Sequence, residues 1–318
     1  MDISNDNLFV INPKVTCEEC NGDRRRRKGC KACNNSGFLP INIRGLWSPS
    51  PGFLVCGGPS LNEIPKEKLR ERGIVSLAIN NSAGHVPASA WVFGDPQSKF
   101  HHGIHLDPKC LTFAPIGKLR KNIYIKTKDG MFRNTNIKVM DCPGVFGFSR
   151  TSHFDKDTFL TDPSAHWGYG GKSQNKDFSI LDTMLLGIRL MHYLGCPRVY
   201  LLGVDFNMTS ENPYAFEQKK DGRNGRYLKT SRLLKELKPI FEKNDFHVYN
   251  CNFKSQCKEF DFISFEEAYE DCKGGVPNEP FDLSEWYEKS IAMGHIEKNP
   301  KEITLKDIYV VSGEKIVR

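Results

Sequence analysis

Four cysteines near the amino terminus have the type and spacing to hold a metal ion: Cys17-x2-Cys20-x9-Cys30-x2-Cys33. Two CxxC pairs can bring four thiolates into a tetrahedron, the arrangement that structural Zn2+ takes. Each pair is followed by turn formers, Asn21-Gly22 and Asn34-Asn35-Ser36-Gly37, which let the chain fold back around an ion. A segment this short has no core of its own, so one structural zinc is expected to hold it together. Arg24, Arg25, Arg26, Arg27 and Lys28 fill the stretch between the pairs. That run reads equally as a solvated loop or as a finger loop contacting the phosphates of DNA.

A second centre of chemistry is the turn Val55-Cys56-Gly57-Gly58-Pro59-Ser60-Leu61. Glycine has no Cβ and lets backbone approach a phosphate closely, and a following helix start offers free N–H groups. Ser60 has a hydroxyl for a phosphate or for capping that helix. The turn is neither a Walker A loop nor a full GxGxxG, and a plain strand-to-helix turn would also account for it. Polar residues recur after other apolar runs: Asn80-Asn81, Gly94-Asp95-Pro96 and Asp205-Phe206.

The elements that must position these groups are short and apolar. Phe53–Cys56, Ile74–Ile79, Ala90–Phe93 and Val199–Val204 read as buried parallel strands. Amphipathic segments near Pro65–Arg72, Ser179–Leu194 and Thr230–Lys243 read as helices, and His247–Cys251 as a further strand. Strand, polar turn, helix, strand is the rhythm of a Rossmann-like, doubly wound α/β fold with a mainly parallel sheet. In such sheets ligands sit at the carboxyl ends of the strands, where these polar turns fall. Residues 100–150 carry isolated β-like pieces at Leu111–Pro115, Asn122–Lys126 and Ile137–Met140, and 150–178 read as a long loop. Three parts are expected: a zinc knuckle over 1–45, a Rossmann-like domain over 46–263, and a helical or irregular extension over 264–318.

With 318 residues, 39% hydrophobic and 26% charged, the chain is ordinary globular material. No segment is apolar enough to span a bilayer, and MDISNDNLFV lacks the pattern of a secretory signal. A cytoplasmic location is expected, which a bacteriophage protein made in its host would share. Eleven cysteines are then thiols or metal ligands, and a net charge of +7 favours polyanionic partners.

The two knuckles resemble those of the DnaJ cysteine-rich domain over about twenty residues. Gly57-Gly58-Pro59-Ser60-Leu61, Asn80-Asn81, Gly94-Asp95-Pro96, Leu194–Phe206 and Tyr214-Ala215-Phe216 follow one another in the main domain. Through these blocks it resembles the bacterial lipooligosaccharide sialyltransferases and the related 6-hydroxymethylpterin diphosphokinase-like proteins. The resemblance implies that Gly57, Gly58, Pro59 and Ser60 hold a nucleotide's phosphates and that Asn80, with Asn81, contacts the nucleotide. It also implies that Thr183 meets the donor and that Tyr214 assists departure of the phosphate. Asp95 stands where the relatives have a donor-touching asparagine. Their catalytic histidine after Y-A-F is absent, as is an arginine expected near Ile180. Asp95, Asp205, His101, His102 or His166 is left to act as the base. The expected activity is transfer of a sugar from a nucleotide-activated donor to a hydroxyl, with hydroxylated or hydroxymethylated bases of phage DNA as acceptor. The alternatives are a diphosphokinase and a nucleic-acid-binding accessory protein.

Overall fold

The computed structural model describes residues 14–16, 19–20, 25–26, 28–31, 38–40, 43–107, 109–126, 132–142, 144–148, 156–160, 182–207, 213–216 and 224–273. At the amino terminus β1 (Lys14–Thr16) pairs antiparallel with β2 (Phe38–Pro40), Thr16 opposite Phe38. This ladder closes the segment that carries both cysteine pairs into one loop. Cys17 and Cys33 lie outside the described residues; Cys20 is buried, and the Cys30 thiol is 3.8 Å from a Glu19 carboxylate oxygen. Among the described residues no three His, Cys, Asp or Glu side chains converge as a metal-ligand group.

The main sheet begins with β3 (Gly52–Val55), β4 (Val75–Ile79), β5 (Ala90–Val92) and β6 (Leu111–Pro115). An antiparallel hairpin, β7 (Asn122–Lys126) and β8 (Phe132–Lys138), precedes β9 (Val145–Phe148), β10 (Arg198–Leu202) and β11 (His247–Asn250). The seven sheet strands lie in the order β11-β10-β3-β4-β5-β6-β9, every neighbouring pair parallel. The chain lays strands outward on one side of β3, then returns to add β10 and β11 on the other. The topological switch point therefore lies between β3 and β10.

Both faces of this sheet are buried, so its strands are apolar at successive positions rather than alternating with polar ones. On β3, Leu54 joins one core layer while Phe53 and Val55 join the other, and Val199 and Tyr200 divide in the same way on β10. The first layer is covered by α2 (Thr183–Tyr193) and α3 (Asn224–Lys243), the second by short 3-10 turns and α4 (Phe265–Lys273). Asp271 of α4 bridges Arg198 (2.9 Å) and the Tyr200 hydroxyl, tying that helix to β10. Among the described residues no helix is long and apolar enough to cross a membrane.

The middle of the chain is more ordered than its sequence leads one to expect. The residues of α1 (His102–Leu106), with Leu119, Ile123, Ile137 and Val139, build a third core layer on Trp91 and Phe93, and β9 completes the sheet. The stretch Pro65–Arg72 forms only a 3-10 turn, Lys66–Arg70, because Pro65 and Gly73 leave too few residues for a cooperative α-helix. Helix α3 starts at Asn224, six residues before the amphipathic pattern at Thr230.

Candidate functional site

Gly57–Ser60 leaves the carboxyl end of β3 at the switch point and enters a 3-10 turn, Pro59–Glu63, in place of the expected α-helix. Its backbone is held by protein groups. The Gly58 N–H donates to the Gly203 carbonyl (2.8 Å), and the Ser60 N–H donates to Asp205 Oδ2 (3.0 Å). The Asn252 amide, beyond β11, donates to the other carboxylate oxygen of Asp205, so this side chain joins three strand ends. A Cβ on Gly58 would overlap Asp205 Oδ2 and stand 2.6 Å from the Gly203 carbonyl. A Cβ on Gly57 would stand 2.9 Å from the Phe216 ring. The space freed by the glycines, expected to admit a phosphate, is filled by Asp205 and Phe216. What the turn still presents is the Ser60 hydroxyl, buried and without a hydrogen-bond partner among the described residues.

Around this turn the fold assembles most of the residues singled out in the sequence. Asn80 follows β4 with a positive φ of 47°, which an asparagine tolerates better than most residues. Its amide donates to Thr183 Oγ1 (3.2 Å) and its side-chain oxygen accepts from the Gly94 N–H (3.1 Å). Thr183 opens α2, so β4, β5 and α2 meet at Asn80. Asn81 is the next residue of the same 3-10 turn. Tyr214-Ala215-Phe216 docks on the glycine turn: the Ala215 N–H donates to the Gly57 carbonyl (2.9 Å), and Tyr214 stacks on Phe216 with centroids 5.9 Å apart.

Asp95 is placed differently. It shares the carboxyl rim with Asp205, but β3 and β4 stand between β5 and β10, so the two strand ends are three spacings, roughly 14 Å, apart. The Asp95 carboxylate is half exposed and pairs with Lys99 at 3.1 Å. His101 caps α1 by accepting the Gly103 N–H, and His102 is buried beside it, on the β5–β6 side of the sheet. His166 lies outside the described residues.

Four further residues stand at the site beyond those singled out in the sequence. Asp182 is the N-cap of α2: Oδ1 accepts the Met184 N–H (2.8 Å) and Oδ2 accepts the Thr230 hydroxyl of α3 (2.6 Å). Tyr227, near the start of α3, lies parallel to Phe206 with centroids 4.6 Å apart. Burial raises the pKa of its phenol, and Tyr214, Asp182, Cys56 and Asp205 add to the rise. Burial likewise pushes the Cys56 thiol up, with Asp182 and Asp205 reinforcing it. Asn252 secures Asp205. His85 packs against Phe216 (5.6 Å), with Lys66 Nζ 2.6 Å from its Nε2. An aspartate directly before the apolar run of α2 is an ordinary N-cap signal that identifies Asp182; nothing comparable marks the other three.

A positive φ of 53° at Phe206, a bulky residue, is a backbone outlier of the kind that clusters at functional sites. The arrangement gathers hydroxyl, phenol and amide groups around two carboxylates, Asp182 and Asp205, whose oxygens all accept hydrogen bonds from the protein.

No family model matches the chain, and no curated protein sequence matches it. Among solved structures, the MAf glycosyltransferase from Magnetospirillum magneticum AMB-1 is similar with a TM-score of 0.40 at 10% identity. That match covers 91% of this chain but 44% of the other, so the chain spans less than half of the Magnetospirillum protein. The sialyltransferase CstII from Campylobacter jejuni, in complex with cytidine-5'-monophosphate, is similar with a TM-score of 0.33 at 16% identity, covering 76% of this chain and 97% of that one. A second CstII structure, in complex with CMP-3FNeuAc, gives 0.32 at 16% identity over 67% of this chain and 86% of that one.

Proposed function

We propose that this protein transfers a sugar from a nucleotide-activated donor to a hydroxyl acceptor, at the switch point between β3 and β10. The observation that carries this reading is the convergence of Ser60, Asn80, Thr183 and Tyr214 on that crevice, with the Ser60 hydroxyl buried and unclaimed. Open α/β sheets bind ligands at this position.

In this reading Ser60 donates to the donor's phosphate, and Asn80 with Thr183 fixes the nucleotide. The acceptor oxygen bonds to the anomeric carbon as the bond from that carbon to the phosphate oxygen breaks. The electron pair leaves on the phosphate, which Tyr214 stabilises through its phenolic O–H. The acceptor's proton passes to a base at the rim, and Asp205 is the carboxylate at that place. Asp95, tied to Lys99 three strands away, serves the outer end of the crevice. The zinc held by Cys17, Cys20, Cys30 and Cys33 is structural. The basic loop of Arg24, Arg25, Arg26, Arg27 and Lys28 favours a polyanionic acceptor, in our reading hydroxylated or hydroxymethylated bases of phage DNA.

Thermal-shift titration with UDP- and CMP-sugars, ATP and duplex DNA, followed by mass spectrometry of products, tests the reading. A true donor raises the melting temperature with concentration. Tyr214→Phe should keep donor binding and lose turnover. A shift with ATP alone that requires magnesium would replace glycosyl transfer with diphosphoryl transfer. DNA stabilisation without any nucleotide effect would leave a binding protein.

A further inference from the structure

The segment that carries Tyr214 is tied down through its neighbour. The Ala215 N–H donates to the Gly57 carbonyl (2.9 Å), and the Ala215 carbonyl accepts the side-chain amide N–H of Asn62 (3.1 Å). Both peptide units flanking Ala215 are therefore bonded, one to the end of β3 and one to the 3-10 turn Pro59–Glu63 that carries Asn62. The ring that Tyr214 stacks on is held from the same side. Phe216 lies against Gly57 and packs on His85, with centroids 5.6 Å apart.

Asn62 is itself oriented. Its Oδ1 accepts from Lys66 Nζ (2.7 Å), which leaves the amide N–H groups to face Ala215. Lys66 Nζ also lies 2.6 Å from His85 Nε2, and that nitrogen is 3.1 Å from Asn62 Oδ1. One ammonium thus braces both the amide that grips Ala215 and the imidazole behind Phe216. His85 closes the 3-10 turn Asn80–Gly84, so the same brace joins the turn bearing Asn80 to the segment bearing Tyr214. Resting on the glycosyl-transfer reading above, in which Tyr214 stabilises the departing phosphate, we infer that Asn62 is a positioning residue for Tyr214. It touches no ligand and takes no part in bond making; it sets where the phenol stands.

Steady-state release of nucleotide from UDP-glucose and from CMP-sialate, with water as acceptor, provides the test on the full chain. Asn62→Ala should lower kcat about tenfold or more and leave the donor KM within about twofold, because a small misplacement of a reacting group is felt in turnover. Asn62→Asp keeps an acceptor for Lys66 but cannot donate to Ala215, and it should match Asn62→Ala. Groups that act as one unit are not additive, so Asn62→Ala combined with Tyr214→Phe should be no slower than Tyr214→Phe alone. A wild-type kcat in either single variant, a loss confined to KM, or a double variant slowed by a further tenfold or so would overturn the inference while leaving glycosyl transfer standing. Absence of nucleotide release from both donors in the wild type, with no thermal shift from any nucleotide-sugar, would remove the glycosyl-transfer reading and this inference with it.

Discussion

Gly58→Ala is the substitution whose consequence the structure determines most directly. The added methyl would stand 2.6 Å from the Gly203 carbonyl oxygen and 2.7 Å from Asp205 Cγ, and would overlap Oδ2. The carbonyl cannot withdraw easily, because it accepts the Gly58 N–H at 2.8 Å and belongs to the backbone that ends β10. The carboxylate must swing away instead, giving up the Ser60 N–H (3.0 Å) and its hydrogen bond with Asn252. Loss of these two charge-assisted hydrogen bonds, with the Ser60 donor left part-buried, costs about 3 kcal/mol, and backbone adjustment adds about 1 kcal/mol. For a domain of this size about 4 kcal/mol lowers Tm by roughly 8–16 °C.

Calorimetry or circular dichroism reads that shift. Gly225→Ala, in α3 with nothing within 4 Å of the new Cβ, is the control and should leave stability unchanged or slightly raised. The decisive measurement is the double variant with Asp205→Ala. Removing the carboxylate removes most of the collision, so the double variant should be about 1 kcal/mol or more better than the sum of the singles. An unchanged melt in Gly58→Ala, or strict additivity, would refute the close packing of Gly58 on Asp205.

Other outcomes follow from the same structure. The purified protein should carry about one zinc per chain, and Cys30→Ser should lose it without abolishing the main cooperative melt; a metal-free preparation with an unaltered amino terminus would remove the zinc proposal. Burial lowers His105 from 6.5 to about 3, with the charge of His102 adding to it. The unfolded chain then takes up a proton below pH 6.5 that the folded chain refuses, so stability falls as pH drops from 6.5 towards 3. Between pH 7 and 5 this single group removes roughly 2 kcal/mol, and His105→Leu should flatten that slope in urea titrations; parallel slopes would exclude it. Replacing Arg24, Arg25, Arg26 and Arg27 with serine should reduce the salt dependence of DNA binding by about 0.9 in log–log slope for each phosphate that is no longer neutralised, whereas equal slopes would mark the run as a solvated loop.

How much of this site is legible in the sequence depends on the range of the forces involved. Gly57–Ser60, Asn80 and Asp205 can be found because each ends a run of buried apolar residues, a local pattern that places them on the carboxyl rim. Strand β9 is harder to see: Val145-Phe146-Gly147-Phe148 is short and glycine-containing, and it becomes a strand because β6 offers it an edge. Likewise α3 extends back to Asn224 because Tyr227 stacks on Phe206 and Thr230 reaches Asp182, interactions between segments far apart in the chain. The rim common to Asp95 and Asp205 can be read from strand ends, but the separation between them cannot. It follows from strand order, which only the crossover back to β10 decides.

That strand order also explains why a glycine turn resembling a phosphate cradle behaves differently here. Placing β10 against β3 puts Asp205 directly beside the turn, and a carboxylate there competes with any phosphate for the Ser60 N–H. In the proposed reading a donor phosphate would either displace Asp205 or sit one layer out, near the Ser60 hydroxyl. Displacement would break the Asn252 hydrogen bond as well, so the outer position is the less costly one. In the proposed reading, recognition of a nucleotide would then rest on side chains such as Asn80, Thr183 and Tyr214 rather than on the backbone N–H groups of the turn. Gly58 is needed to let β3 and β10 close on each other, and Ser60 is the residue of the turn whose hydroxyl has no hydrogen-bond partner among the described residues.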